Sequence, residues 1–458
     1  MSEGKQEERK NPQWIILKAV AVTILLGTVL LMLPWSTRSG QWTPLVTALF
    51  MATSATCVTG HTLVDVGSYF SHFGQLVLLA LCQVGGLGFM TMATFLLILA
   101  GRRLSIQSEM MLMDTLGVDE ADELKALLRQ TVAFTFLIEG VGAAILAIRL
   151  MTVHDMPFLT ALYHGLFHAV CAFCNAGFSL YPDNLIALRE DKIILLTVAI
   201  LIVLGGLGFL VIRDCGRFKF WEQNRVSRGR LSLHSRIVLY AAGVLIIGGG
   251  TLIAALEWNK TLAGLAFSDR IVCALFQSVT ARTAGFNVVD MAQTQVSTRY
   301  VTMVLMFIGG SPGSIAGGIK TTTVVVLLCT MIAMIRGRKT MTLMGRSIAV
   351  RVMEESLAVF MLGLLVVGGL YGVLLVTEAQ NLLMLRFTSD ALLFDTVSAF
   401  GTVGLSTNIM PGLTVLGKLT IILCMFIGRC GPLTVALIVG MKETRQLLRY
   451  PEEDVMVG

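Results

Sequence analysis

Charged residues are scarce in this sequence. Of 458 residues, only 14% are Asp, Glu, Lys or Arg, whereas a typical soluble domain carries about 25%. This shortage excludes an ordinary cytosolic enzyme and an intrinsically disordered chain. The net charge of +6 is not gathered on one basic face, so a nucleic-acid partner is not expected either. A composition that is 55% hydrophobic, with a mean hydropathy of +0.78, indicates a polytopic membrane protein.

Several motifs are also missing. The nine Cys residues show no framework of paired spacings, which argues against a secreted disulfide scaffold. The segment Met1–Lys10 is polar and does not read as a signal peptide. There is no HExxH zinc-protease motif. We therefore expect neither an enzyme nor a tightly bound cofactor.

Eight stretches are apolar and long enough to cross a hydrocarbon core of about 30 Å as helices. They are Trp14–Leu33, Gly74–Ala100, Thr131–Leu150, Lys192–Ile212, Ile237–Leu256, Tyr300–Ile335, Ser356–Val376 and Val415–Gly440. Most Lys and Arg residues fall in alternate connections and at the two chain ends, and such a bias marks the cytoplasmic side. We therefore expect a cytoplasmic N-terminus (1–13) and a cytoplasmic tail (441–458).

One span is unsuited to a single helix. Tyr300–Ile335 would extend about 54 Å at 1.5 Å per residue, and its middle, Gly309–Gly318, contains five Gly and a Pro. Irregular backbone at membrane depth survives only where protein buries it or where it lines a water-filled cavity. The segment is therefore a candidate functional element.

Four shorter apolar helices lie on the outer side, and we call them half-helices because they are too short to cross. They are Thr43–Cys57, Phe158–Cys174, Asp269–Ala281 and Ser389–Gly401. Each leads into an extended stretch with a Gly, namely Gly60, Gly177, Gly285 or Gly404, and these glycines are 117, 108 and 119 residues apart. A second cluster of small residues follows each of them at a similar offset, opening at Gly85, Gly205, Gly309 and Gly428.

This periodicity predicts an internal fourfold repeat. The units are 14–100, 126–214, 234–337 and 346–440, each consisting of a span, a half-helix, a glycine stretch and a second span. The predicted fold is all-α, with four tandem repeats around a pseudo-fourfold pore. A half-helix that enters from outside directs its partly negative C-terminus toward the membrane centre. Backbone carbonyls left unpaired at that depth suit a dehydrated cation.

The sequence resembles the membrane subunit of the Trk/Ktr/HKT superfamily of potassium transporters, within it the shorter Ktr type (KtrB). The resemblance covers nearly the whole chain. The matching motifs are Ala52–Ala55 with Val58–Gly60, Phe173 with Asn175–Phe178, Thr280–Asn287, Ser398–Phe400 with Thr402–Leu405, Gly317–Lys320, Gly428–Arg429 with Gly431–Thr434, and Tyr450–Glu452.

The resemblance implies potassium uptake, with K⁺ as substrate and sodium as a second candidate ion. It implies a filter whose carbonyls bind K⁺, formed by Val58, Thr59, Gly60, Asn175, Ala176, Gly177, Thr283, Ala284, Gly285, Thr402, Val403 and Gly404. It implies a gating loop formed by Gly309, Gly310, Ser311, Pro312, Gly313, Ser314, Gly317 and Gly318, with Arg429 beside it in the pore. It further implies a homodimer in the cytoplasmic membrane of a prokaryote, resting on a cytosolic nucleotide-binding (KtrA-like) subunit.

Some interpretations stay open. A coupled symporter that carries Na⁺ or H⁺ with K⁺ is the alternative function. His61 and Cys174 depart from the usual family residues, and both lie where they could alter selectivity. Glu139 is either functional or a hydrogen-bond partner of a half-helix. For Arg282 we expect a structural role, with its side chain bonded to backbone or to a carboxylate.

Overall fold

The computed structural model describes residues 12–88, 121–217, 231–338 and 341–431. Its α-helices, numbered along the chain, are α1 Pro12–Met32, α2 Leu45–Thr56, α3 Val66–Tyr69, α4 His72–Leu87, α5 Ala121–Val153, α6 Phe158–Phe173, α7 Lys192–Leu207, α8 Phe209–Arg217, α9 Leu233–Glu257, α10 Phe267–Thr280, α11 Val296–Phe307, α12 Thr321–Ile335, α13 Val350–Thr377, α14 Ala379–Leu383, α15 Ser389–Gly401 and α16 Val415–Cys430. The described residues form one two-stranded antiparallel sheet, β1 Thr342–Leu343 with β2 Arg346–Ser347. The all-α prediction is confirmed.

The four predicted half-helices are present as α2, α6, α10 and α15, and they have 12, 16, 14 and 13 residues. Their C-terminal halves are deeply buried and consist largely of small or apolar residues. Each is packed against the long helix that precedes it in its repeat, as α6 is against α5. A buried short helix of this kind needs partners for its last carbonyls, and these come from the residues that follow it.

Three described helices are long and apolar enough to cross a membrane by themselves: Arg129–Val153, Leu233–Glu257 and Val350–Thr377. Other predicted spans correspond to shorter apolar helices, namely α1, α4, α11 and α12. The predicted break in Tyr300–Ile335 is confirmed, because α11 ends at Phe307 and α12 begins at Thr321. The parts of predicted spans at 89–100 and 432–440, and the two chain ends, lie outside the described residues.

One predicted span is interrupted. Lys192–Ile212 is not a single helix, since the chain bends by 100° between α7 and α8. The bend is at Gly208, whose φ of +85° ends α7, and that backbone conformation suits Gly because it has no Cβ. A Cβ there would also lie 3.1 Å from the Gly313 carbonyl carbon, so the bend places the start of α8 against the intramembrane loop.

The glycine clusters let the second span of three repeats approach the end of a half-helix. A Cβ on Gly85, Gly205 or Gly428 would lie 2.0–2.1 Å from a carbonyl oxygen near the C-terminus of α2, α6 or α15. Backbones can approach this closely only where small residues meet. The Gly205–Gly208 cluster therefore serves helix packing.

Two buried glutamates join the first and second spans of repeats 3 and 4. Glu257 accepts hydrogen bonds from the Gln295 backbone N (2.9 Å) and from Thr298 Oγ1 (2.5 Å) at the start of α11. Glu378 accepts from the Thr414 backbone N (3.0 Å) and its Oγ1 (2.6 Å) at the start of α16. In both repeats a carboxylate at the end of the first span thus caps the N-terminus of the second, where negative charge is favourable.

Candidate functional site

The four predicted filter glycines form a closed ring. A Cβ on Gly60 would lie 2.4 Å from the Ala176 carbonyl oxygen, and one on Gly177 would lie 2.8 Å from that of Ala284. The series continues from Gly285 to the Val403 oxygen (2.3 Å) and from Gly404 to the Thr59 oxygen (2.1 Å). Each glycine therefore touches the next repeat, and the last returns to the first. We call this arrangement the glycine ring.

All four stretches share one backbone conformation. The glycines have φ values of +93°, +65°, +76° and +92° for Gly60, Gly177, Gly285 and Gly404. The residue two positions earlier is left-handed in every case, with φ between +49° and +74° at Val58, Asn175, Thr283 and Thr402. The sequence predicted extended stretches, but these positive φ values show that the stretches are not extended over their whole length. Non-Gly residues with positive φ are uncommon, and such strain concentrates at functional sites.

The half-helix ends hold these turns in place. In repeat 1 the Ser54 hydroxyl accepts from the Gly60 backbone N at 3.1 Å, and in repeat 4 Ser398 accepts from Gly404 at the same distance. In repeat 3 the Thr280 hydroxyl accepts from the Phe286 N at 2.8 Å. The backbone donors of the turns therefore point back at the half-helices. Among the described residues, no backbone N–H donates to a carbonyl of the ring glycines.

Asn175 links two repeats directly behind the ring. In the amide orientation that satisfies both of its polar atoms, the nitrogen donates to the carbonyls of Ala172 (3.0 Å) and Ile202 (3.2 Å). Its oxygen then accepts from Thr283 Oγ1 at 3.3 Å. One side chain thereby connects the turns of repeats 2 and 3 with α7.

A cavity of about 250 Å³ opens above the glycine ring. All four ring glycines line it, and so do Asp65, Asp183 and Asp290, while no Lys or Arg among the described residues does. Carboxylates around a narrow mouth raise the local concentration of cations. Asp65 and Asp290 follow closely behind glycine stretches in the sequence, whereas no sequence motif marks Asp183.

The two family departures lie behind the ring. His61 is 1% exposed, and neither ring nitrogen has a hydrogen-bond partner among the described residues. Cys174 Sγ lies 3.5 Å from Gln83 Oε1 and 3.8 Å from Glu139 Oε1. Glu139 also accepts from Gln83 Nε2 at 3.1 Å, so it does bond at the end of a half-helix.

The predicted gating loop does not line this cavity and lies against repeats 2 and 4. Ser311 bonds α7 through its backbone N (3.2 Å) and hydroxyl (2.9 Å), both to the Gly206 carbonyl. A Cβ on Gly317 would lie 2.2 Å from Thr402 Oγ1, so the loop touches the turn of repeat 4. The loop base is closed by Gly309 N to the Ile319 carbonyl (2.8 Å) and by Thr321 N to the Gly310 carbonyl (3.0 Å).

Arg429 joins this loop to repeat 1. Its Nη1 donates to the Ile315 carbonyl and its Nη2 donates to the Gly85 carbonyl at the end of α4. The loop contact was expected from the irregular carbonyls, whereas the bond to Gly85 was not. Lys320, a second cationic residue, donates from Nζ to the Ala316 carbonyl at 2.5 Å. Two cationic side chains therefore hold the loop by its carbonyls.

The expectation for Arg282 is not met. Its Nε has no hydrogen-bond partner among the described residues, although a backbone or carboxylate partner was expected. The side chain lines a small cavity with Val279, Ile246 and Gly310. The residue directly precedes the repeat 3 turn but does not enter the mouth cavity.

The comparisons with known proteins bear on this geometry. A family model described as "TrkH: Cation transport protein" matches residues 2–447. The chain belongs to this family. Like its relatives, this TrkH-family chain is a multi-pass membrane protein with helices able to span a bilayer.

Two relatives of the TrkH-family chain match it almost end to end. It is similar to the "Potassium/sodium uptake protein NtpJ" of Enterococcus hirae, with 36% identity over 98% of both chains. It is also similar to the "Ktr system potassium uptake protein B" of Bacillus subtilis, with 37% identity over 98% of this chain and 97% of the other. Among solved structures, the potassium transporter TrkH of Vibrio parahaemolyticus superposes with a TM-score of 0.68. At 17% identity over 93% of this chain and 85% of the other, that match shows the shared fold.

Proposed function

We propose that this protein takes up potassium across the cytoplasmic membrane of a prokaryote through the glycine ring, which acts as a carbonyl-lined filter. The observation that carries the proposal is the closed ring of four positive-φ glycines, one from each repeat. Carbonyls without backbone partners can replace the hydration shell of K⁺. Relatives with 36–37% identity carry potassium-uptake names, which supports the same cargo.

The membrane potential is the proposed driving force. One positive charge that moves inward through 100 mV gains about 2.3 kcal/mol. At about 1.4 kcal/mol per tenfold, this supports an inward concentration ratio of about fifty without ATP. The acidic mouth, with Asp65, Asp183 and Asp290, would feed cations to the filter.

Gating is assigned to the Gly309–Gly318 loop. In the closed state the loop lies under the filter and is held by Arg429 and by Ser311. In the open state it is displaced by a cytosolic nucleotide-binding subunit of the KtrA type, which docks on the basic 213–236 and 336–351 loops of a homodimer. Two relatives are named as components of a Ktr system, which supports an assembly with a partner subunit. Both termini are assigned to the cytoplasmic side from the Lys and Arg bias of the sequence.

A coupled symporter is the second candidate. One relative is named a potassium/sodium uptake protein, and this favours a role for sodium. The two functions differ at zero membrane potential. A symporter would still move potassium when a sodium or proton gradient is imposed, whereas potential-driven uptake would stop.

The decisive experiment uses purified protein in liposomes. Potassium uptake should follow an imposed negative interior potential and should persist when sodium is replaced by choline. A Gly60→Ser variant, incorporated at equal density, is the matched control and should lose most of this uptake. Uptake that needs a sodium or proton gradient at zero potential would replace the proposal with the symporter.

A further inference from the structure

Asn184 makes an unusual contact with the glycine ring. Its Nδ2 donates a hydrogen bond to the Gly177 carbonyl oxygen at 3.3 Å, and the residue lines the mouth cavity. Among the described residues, no other side chain donates to the carbonyl of a ring glycine. The contact therefore distinguishes repeat 2 from the other three repeats.

The backbone of Asn184 is held in a conformation that few residues adopt. Its φ is +57°, in the left-handed region where Asn is several-fold enriched. Its N–H donates to the Tyr181 carbonyl at 3.1 Å, and its own carbonyl accepts from Ser179 Oγ at 3.4 Å. The next residue, Leu185, donates to the Asn287 carbonyl of repeat 3 at 3.0 Å. The amide is thus aimed at Gly177 before any ion arrives.

The support for Asn184 continues into the half-helix. Ser179 Oγ lies 3.1 Å from His168 Nε2 on α6, and the His168 ring stacks on Tyr181 with 4.9 Å between centroids. Side chains locked by packing and by a second layer of hydrogen bonds hold a site more tightly than loops alone. This network connects α6, the mouth and the ring.

We propose that Asn184 is a positioning residue for ion selectivity, whose amide fixes the direction of the Gly177 carbonyl. A carbonyl oxygen has two lone pairs, so one can accept from Asn184 while the other faces the ion. Without the amide, the carbonyl can turn and the site adapts to a smaller cation. The inference rests on the proposed filter function and adds a specificity determinant to it.

Two variants remove the amide without straining the backbone. Asn184→Gly tolerates the positive φ and deletes the donor, and Asn184→Asp keeps the shape but cannot donate from an ionised carboxylate. We expect the ratio of potassium to sodium transport rates in liposomes to fall by about two- to tenfold in both, the range for one net hydrogen bond.

Asn408→Gly is the matched control. Asn408 also lines the mouth and has a φ of +64°, but its Nδ2 bonds Asp290 Oδ1 (3.4 Å) instead of a ring carbonyl. This variant should keep the wild-type ratio. An equal fall in Asn408→Gly would overturn the inference, because the effect would then belong to the mouth in general.

Gly177→Ser separates this inference from the filter proposal. If Gly177→Ser leaves the ratio unchanged, the filter assignment itself is wrong. If Gly177→Ser lowers the ratio while Asn184→Gly and Asn184→Asp both retain it, only the role of Asn184 is wrong. Transport is normalised to incorporated protein, so a variant that folds poorly does not imitate a selectivity change.

Discussion

Single residues at the glycine ring have little room to change. Gly404 has a φ of +92°, and a Cβ there would lie 2.1 Å from the Thr59 carbonyl oxygen. A side chain would therefore strain the local backbone and also push away a carbonyl of the neighbouring repeat. These two effects can be separated, because Gly264 has a similar φ of +90° with nothing within 4 Å of its Cβ position.

At the residue scale we predict that Gly404→Ala raises the half-saturating potassium concentration about tenfold or more, because the ring loses its spacing. Gly264→Ala should leave it unchanged and cost only the backbone strain of about 1 kcal/mol in stability. Uptake kinetics over a range of potassium concentrations measure the first effect, and a thermal melt measures the second. Similar kinetics for the two variants would refute the filter assignment.

At the residue scale, the local sequence was enough to identify the ring glycines. The four glycines were identified from spacing alone, and the ring brings all of them together. The role of Asn184 could not be foreseen, because no motif marks an Asn seven residues beyond a glycine. Its contact exists only after the loop folds back over the ring.

At the element scale, side-chain hydrogen bonds tie the intramembrane loop to its neighbours. Arg429 bonds the Ile315 and Gly85 carbonyls, Lys320 bonds the Ala316 carbonyl, and Ser311 bonds Gly206 and Leu207. An element with several Gly that is held by such bonds can change position when they break. The partners belong to repeats 1, 2 and 4, so the loop is fastened on more than one side.

We predict that Arg429→Ala raises the maximal transport rate several-fold, since the loop loses its charge-assisted hydrogen bond through the Ile315 carbonyl, which contributes about 1.5–3 kcal/mol at most. The half-saturating potassium concentration should stay nearly constant, because the filter is untouched. Arg429→Lys keeps the charge but not the fork that reaches two carbonyls, so its rate should lie between those of wild type and Ala. A lower rate in Arg429→Ala at normal abundance would instead make the arginine part of the scaffold.

At the scale of the whole molecule, ion pairs join consecutive repeats. Lys192 Nζ lies 2.9 Å from Asp269 Oδ1, which connects repeats 2 and 3. Arg299 Nη2 lies 2.6 Å from Asp390 Oδ2, which connects repeats 3 and 4. Burial alone would raise the pKa of Asp390, but hydrogen bonding to Thr388 and the charge of Arg299 outweigh it and leave the pKa below its usual value.

We predict a coupling energy of about 0.5–1 kcal/mol between Arg299 and Asp390 in a double-mutant cycle of thermal stability, with Arg299→Gln and Asp390→Asn as the single variants. Because the native pKa of Asp390 is lowered, its contribution is complete above about pH 4 and is lost as the pH falls through the native pKa. The coupling should therefore be present at pH 7 and shrink toward pH 3. A coupling that does not change with pH would show that the ion pair does not hold the repeats together.

The sequence by itself determined the membrane class, the four half-helices, the broken sixth span and the contact between Arg429 and the loop. These follow from local properties: hydropathy over a window, helix length, and an arginine that must find carbonyls at membrane depth. Only the tertiary structure decided the order of the glycine ring, the 100° bend at Gly208, the second Arg429 bond to Gly85 and the contact of Asn184 with Gly177. Each of these depends on atoms far apart in the chain that meet only when the repeats close around one axis, and no local pattern specifies which carbonyl a distant donor will reach.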